Sequence, residues 1–183
     1  MFHKILDAIL ESLDFGTDYP VLTDVEISHI GNDESSIDEA LEVFVAAFPQ
    51  FELGDVKEFI MSSTNWDNSI KATYNDQVIG IYLIGDRQLS KVIEDENAEP
   101  TEDLTDYENQ IGVEGVALAV TPKAQKIGVG KKLKDALLSM TNADYIFGLQ
   151  YKSLNNLQHW LKSRRVVAQS TGDEAVYITL QDL

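Results

Sequence analysis

Cysteine is absent from the 183-residue chain, which excludes disulfides, thiolate metal sites and cysteine nucleophiles. Histidine is scarce. His3, His29 and His159 stand far apart and form no H-E-x-x-H pair, so zinc-protease chemistry is not indicated. No G-x-S-x-G elbow is present to carry a serine nucleophile. Positive charge is also scarce: 14 lysines and arginines face 31 acids, for a formal net charge of −17. Nucleic acids and anionic membranes need a cationic surface, so both are expected to be absent as partners. Trp66 and Trp160 are not interleaved with basic residues, which weakens single-strand binding further. No run approaches the roughly 18 apolar residues of a spanning helix, and the N-terminus lacks the apolar core of a signal peptide. The expectation is a cytoplasmic protein, monomer or homodimer, with no bound metal.

What is present suits a single domain over residues 1–183 with a sizeable core, since 44% of the residues are hydrophobic. Residues 2–15 follow a helical spacing through Phe2, Ile5, Leu6, Ile9, Leu10 and Leu13, giving an extra N-terminal helix within residues 1–20. Val21–Ile30 reads as a first strand. Ser36 and Glu39 form a capping box for a helix that buries Ile37, Ala40, Leu41, Phe44, Val45 and Phe48 and ends at Pro49. A second short helix starts at Asp55. Residues 69–74 and 77–86 form a hairpin over Asn75-Asp76, and the apolar second run is central in its sheet. Residues 88–110 carry eight acids against Lys91 and read as a solvated acidic insertion; a cation-attracting rim is the functional alternative. Residues 144–151 form a buried strand, 154–163 a helix, and 166–169 with 175–180 a second hairpin across 170–173.

One stretch organises the rest: Glu114-Gly115-Val116-Ala117-Leu118-Ala119-Val120-Thr121-Pro122-Lys123-Ala124-Gln125-Lys126-Ile127-Gly128-Val129-Gly130-Lys131-Lys132-Leu133. An apolar strand runs into a glycine-bearing loop that opens a helix. Unpaired N–H groups, the helix dipole and glycine make such a place suited to phosphate. Lys123, Lys126, Lys131, Lys132 and Lys134 gather within twelve residues with no acid among them, although a solvated helix face accounts for Lys132 and Lys134. Neither phosphate fingerprint of the nucleotide folds fits. Lys132 stands where a triphosphate loop needs serine or threonine, and Leu133 replaces the third glycine of the dinucleotide pattern.

What fits is Gln125-x-x-Gly128-x-Gly130 after a Val-x-Pro strand end. It resembles the Q/R-x-x-G-x-G/A pyrophosphate loop of the GNAT superfamily, the acyl-CoA-dependent N-acetyltransferases. The order of elements over residues 21–181 resembles that fold too. The resemblance implies an α/β (α+β) architecture, with a mixed sheet of about six to seven strands and helices on both faces. It implies acetyl-CoA (coenzyme A) as cofactor, bound in a cleft where the strands at 114–120 and 144–151 splay apart. Backbone groups of Leu118, Ala119 and Val120 would hold the pantetheine arm. N–H groups of Gln125, Lys126, Ile127, Gly128, Val129 and Gly130 would hold the pyrophosphate.

The implied reaction is acyl transfer to an amine, which must lose a proton before it attacks. Glu114 is the candidate base: a lone acid opening an apolar strand, where lost hydration strengthens a carboxylate's hold on a proton. It lies eleven residues before Gln125, as the base glutamate does in the histone-acetyltransferase branch. A solvent-facing strand-end glutamate and a glutamate acting through an ordered water are the other readings. Asn155, with Asn156 as rival, resembles the cofactor-contacting asparagine of N-x-x-A-x-x-x-Y. Lys162 replaces its tyrosine, and Arg165-Val166 or Val166-Val167 replaces the usual Gly-Phe. Tyr151 is the substitute general acid, against the reading of a buried strand tyrosine. Residues 1–60 hold 14 acids against Lys4 and Lys57, which points to a cationic acceptor: a polyamine, a lysine side chain or an aminoglycoside. The alternatives are a coenzyme A-binding module of this fold without turnover, and an acidic protein-interaction domain.

Overall fold

Asn75 and Asp76 make the tight turn that their residue types suit, with φ of 49° and 61°. They join strand β2 (Ile70–Tyr74) to strand β3 (Gln77–Gly85), antiparallel from Tyr74 opposite Gln77, with a register shift at Ala72/Thr73. The computed structural model describes residues 21–107, 110–152, 164–171 and 176–182. The expected helices at 2–15 and 154–163, and the turn at 172–173, lie outside the described residues. No helix among the described residues is long and apolar enough to cross a membrane.

The described residues cluster into two compact units, 21–84 with 117–137 and 85–116 with 138–182. In the first, strand β1 (Glu26–His29) pairs antiparallel with β2, and the strand order is β1-β2-β3-β5, where β5 is Gly112–Val120. The expected first strand is shorter than 21–30 because Leu22–Asp24 form a single 3₁₀ turn. Helix α1 (Glu34–Ala47) starts earlier than the capping box at Ser36 suggests. Asp33 is the N-cap, and its Oδ1 accepts the Ser36 N–H at 2.9 Å. Leu41 and Phe44 are buried on α1, and Phe48 closes it by donating to the Phe44 carbonyl at 3.0 Å. Helix α2 is Leu53–Ser63. In β3 every residue but Gln77 is buried, as a central strand requires.

In the second unit the order is β5-β6-β8-β7-β4. Strand β6 (Tyr145–Tyr151) runs parallel to the start of β5 and antiparallel to β8 (Val176–Asp182), which pairs with β7 (Arg165–Gln169). The acidic segment departs from the expectation of a solvated excursion. It forms helix α3 (Leu89–Asp95) and the two-residue strand β4 (Glu99–Pro100), paired with β7. Leu89 and Val92 enter a core with Phe147, Val167, Ile178 and Leu180, while Glu94, Asp95, Glu99, Asp103 and Asp106 are exposed. Strand β4 brings the count among the described residues to eight rather than six or seven. Its glutamate and proline suit an edge, where charge and a missing N–H discourage further pairing.

Candidate active site

The loop after β5 is shaped from within. Thr121 N–H donates to the Ile79 carbonyl at 2.9 Å, which pins the strand end to β3. Pro122–Ala124 make one 3₁₀ turn. Gln125 then closes the loop twice: its N–H points at the Pro122 carbonyl at 3.4 Å, and its side-chain Nε2 donates to the Val120 carbonyl at 3.0 Å. Lys126 and Gly128 both have positive φ, 67° and 102°. Helix α4 (Val129–Thr141) follows, and the Lys132 N–H donates to the Gly128 carbonyl at 3.0 Å as its first regular bond. By helix geometry the N–H groups of the turn before it have no intrahelical acceptor.

One glycine sets where this helix sits. A Cβ on Gly80 of β3 would stand 3.1 Å from Val129 and Leu133 side-chain carbons and 3.3 Å from the Ala119 carbonyl. The bare Gly80 thus lets the first turn of α4 lie close against the sheet. Gly130 is different. A Cβ there would meet only Leu118 and Val120 carbons at 3.8 Å, an ordinary contact. Among the described residues none requires glycine at 130.

The lysine cluster divides on inspection. Lys132 Nζ donates to the Leu22 and Val25 carbonyls at 3.0 and 2.5 Å, so it straps the entering chain to α4, beyond the solvated role expected of it. Lys131 pairs with Asp135. Lys126 is exposed on the loop itself. In β5, Leu118 and Val120 are half-buried and Ala119 is buried.

Glu114, in the second unit, is the one acid of β5 and is buried rather than solvent-facing, but it is paired with a cation. Arg87 Nε lies 3.1 Å from both of its carboxylate oxygens, and Nη2 lies 2.5 Å from Oε1. These bonds and the carboxylate charge hold the Arg87 guanidinium above the usual arginine range. Arg87 is the partner of Glu114 that sequence reasoning missed. The only cue was a cation placed just ahead of eight acids. The β5–β6 ladder runs from Gly112 opposite Tyr145 to Glu114 opposite Phe147, although both strands continue. Tyr151 ends β6 and is 45% exposed, not buried. Asn155 lies outside the described residues. No group of acids and histidines among the described residues is arranged to hold a metal ion.

No family model matches the sequence, and no curated protein matches it. Solved structures do match. Ard1 from Thermoplasma volcanium aligns over 87% of this chain and 98% of its own, with a TM-score of 0.58 and 12% identity. Naa50 of Arabidopsis thaliana, in complex with the bisubstrate analogue CoA-Ac-MVNAL, covers 87% of this chain and 99% of its own, with a TM-score of 0.55 and 13% identity. A GNAT family acetyltransferase from Elizabethkingia anophelis with acetyl-CoA bound gives 87% and 99% coverage, a TM-score of 0.53 and 15% identity. The chain has the fold of the GNAT acetyltransferases.

Proposed function

We propose that this chain is an acyl-CoA-dependent N-acetyltransferase, acting in the cytoplasm on a primary amine. The observation that carries this reading is the loop from Thr121 to Gly130. A left-handed turn at Gly128, a helix N-terminus behind it and an otherwise unneeded glycine at 130 together make a cradle for a pyrophosphate. The residues therefore fit the cofactor. Gln125 differs from the expected direct role, since its amide and N–H are turned into the loop and serve to hold its shape. The remaining loop and first-turn N–H groups, with Lys126 beside them, would hold the diphosphate. Leu118, Ala119 and Val120 offer backbone to an extended arm.

When bound, acetyl-CoA supplies an acetyl thioester whose carbonyl carbon gains a C–N bond to the amine as the C–S bond breaks. The work left to the protein is to take the proton of the amine. Glu114 does this as general base, and Tyr151 at the end of β6 returns a proton to the leaving sulfur. Asn155 completes the cofactor contacts by the family pattern. The acids of residues 21–60 favour a cationic acceptor through long-range attraction, a preference that should weaken as salt rises. The pairing of Glu114 with Arg87 also favours one other reading, a module that binds coenzyme A without turnover.

The test is titration calorimetry with acetyl-CoA, followed by an amine panel. Binding that is weakened by Lys126→Glu and absent for adenosine alone supports the cradle. Turnover on any cationic amine then supports the enzyme over the module. No binding at millimolar cofactor would remove both.

A further inference from the structure

Arg87 joins the acidic segment to Glu114. The Arg87 guanidinium spans two acids. Its Nε and Nη2 hold Glu114, and its Nη1 lies 3.6 Å from Asp95 Oδ2 at the last residue of α3. Lys91 Nζ lies 2.9 Å from Asp95 Oδ1 and 3.0 Å from Glu94 Oε2. Charges therefore alternate from a buried strand position to the surface of a helix. Glu96, just past α3, adds its charge to the field at Arg87. The helix carrying Asp95 is fixed by Leu89 and Val92 in the core.

The bonds are not shared evenly between the two oxygens of Glu114. Oε1 accepts from both Nε and Nη2, whereas among the described residues Oε2 has only the 3.1 Å contact with an Nε already shared with Oε1. A carboxylate oxygen accepts about two bonds, so Oε2 keeps room for one more proton donor. A planar guanidinium also fixes the plane of the carboxylate in a way that a point charge does not.

We propose that Arg87, held by Asp95 of α3, is the positioning residue for Glu114: it fixes the carboxylate plane and leaves Oε2 as the atom that takes the proton of the amine. The acidic segment is then part of the apparatus that aims the base. This rests on the reading of Glu114 as base.

The test is a double-substitution cycle on the full chain, with the amine that turns over fastest. Glu114→Gln lowers kcat on the order of 10²-fold or more, the usual range for a lost general base. Arg87→Met lowers kcat on the order of 10-fold or more, as misplacement of a reacting group does. Acetyl-CoA affinity by calorimetry and its KM stay unchanged. Arg87→Lys recovers part of the loss, and Asp95→Asn gives a smaller fall. In the Glu114→Gln background Arg87→Met costs nothing further. A readout apart from activity is the Arg87 Nε–H proton resonance, shifted downfield in the wild type and returned to the value of an exposed arginine in Glu114→Gln.

An equal fold-loss from Arg87→Met in both backgrounds overturns the inference, as does an Nε–H resonance indifferent to Glu114→Gln. If Arg87→Met alone does not fold, the charge-free pair Arg87→Met/Glu114→Gln replaces it. A kcat equal to that of Glu114→Gln supports the inference, and a lower one overturns it. Glu114→Gln with full turnover, or a wild type that binds acetyl-CoA and acetylates no amine, overturns the base reading and this inference with it.

Discussion

The loop from Thr121 to Gly130 and the Glu114–Arg87 pair are built on opposite plans. The loop is closed by neighbours in sequence, with Gln125 reaching back five residues to Val120 and α4 beginning at once. The pair joins residues 27 apart, brought together by the end of β3, the turn into α3 and the placing of β5. A site made of contiguous backbone announces itself as a motif. A site made by the meeting of distant side chains leaves only a composition cue. The difference is also energetic. The loop spends conformational strain and offers N–H groups, whereas the pair must offset the desolvation of a carboxylate with one well-placed cation.

The largest effect expected from either region is Gly128→Val. At φ 102° a branched side chain is strained, and its Cβ would approach Leu22 at 3.1 Å. Acetyl-CoA affinity should fall about 100-fold or more, equivalent to about 2.7 kcal/mol. Retention of wild-type affinity in calorimetry would show that the loop need not hold this shape. Next is the fold stability of Arg87→Met, which strands a buried carboxylate. Denaturant unfolding should show a loss of about 2–3 kcal/mol, below the usual figure for a buried pair because Arg87 is partly solvated. Adding Glu114→Gln should return most of it, and a double variant as unstable as the single one would contradict the pairing argument.

Gly80→Ala sits between the two regions in effect. Its Cβ presses on Val129, Leu133 and the Ala119 carbonyl, so about 1–2 kcal/mol of stability should be lost as α4 moves outward. Cofactor affinity should drop with it, and stability lost without any change in affinity would separate the seat of α4 from the cradle. The smallest effect is Asp33→Ala. The Ser36 N–H and hydroxyl hold the Asp33 carboxyl below its ordinary value of 3.8. A carboxylate depressed in the folded state stabilises above its unfolded value and loses that contribution as pH falls through its folded one. The Tm gap between wild type and Asp33→Ala should be full at pH 7 and close below about pH 3.8. A gap that persists at pH 2 would mean the cap acts other than through its charge.

Much of the fold was legible because its signals are local. The Asn75-Asp76 turn, the apolar run from Val78 to Ile84 and the spacing of Leu41 and Phe44 each need only a few consecutive residues to be read. The errors have physical reasons as well. Asp33 and Ser36 are both good caps, and the carboxylate placed one turn earlier won the helix start. In the segment 88–110 the acids outnumber the apolar residues, which hid Leu89 and Val92. Those two suffice because seven helical residues have room for only one buried stripe. Of the candidate site, the turn of the loop was visible in Gly128. Arg87 was not, because no sequence period links the end of one strand to the third residue of another. The alternative of a buried strand tyrosine at Tyr151 fails for a related reason: a strand's last residue follows its loop, not its core.

The strap made by Lys132 has a consequence of a different kind. A lysine amine reacts with an acylating reagent only after it sheds a proton and turns its lone pair outward, and the Lys132 amine points two hydrogens at the Leu22 and Val25 carbonyls. Exposed Lys126 bears no such burden of position. Under brief treatment with acetic anhydride Lys126 should be labelled early and Lys132 late. The rate at Lys132 would then clock how often the entering chain lifts from α4, a local opening that bulk unfolding does not register.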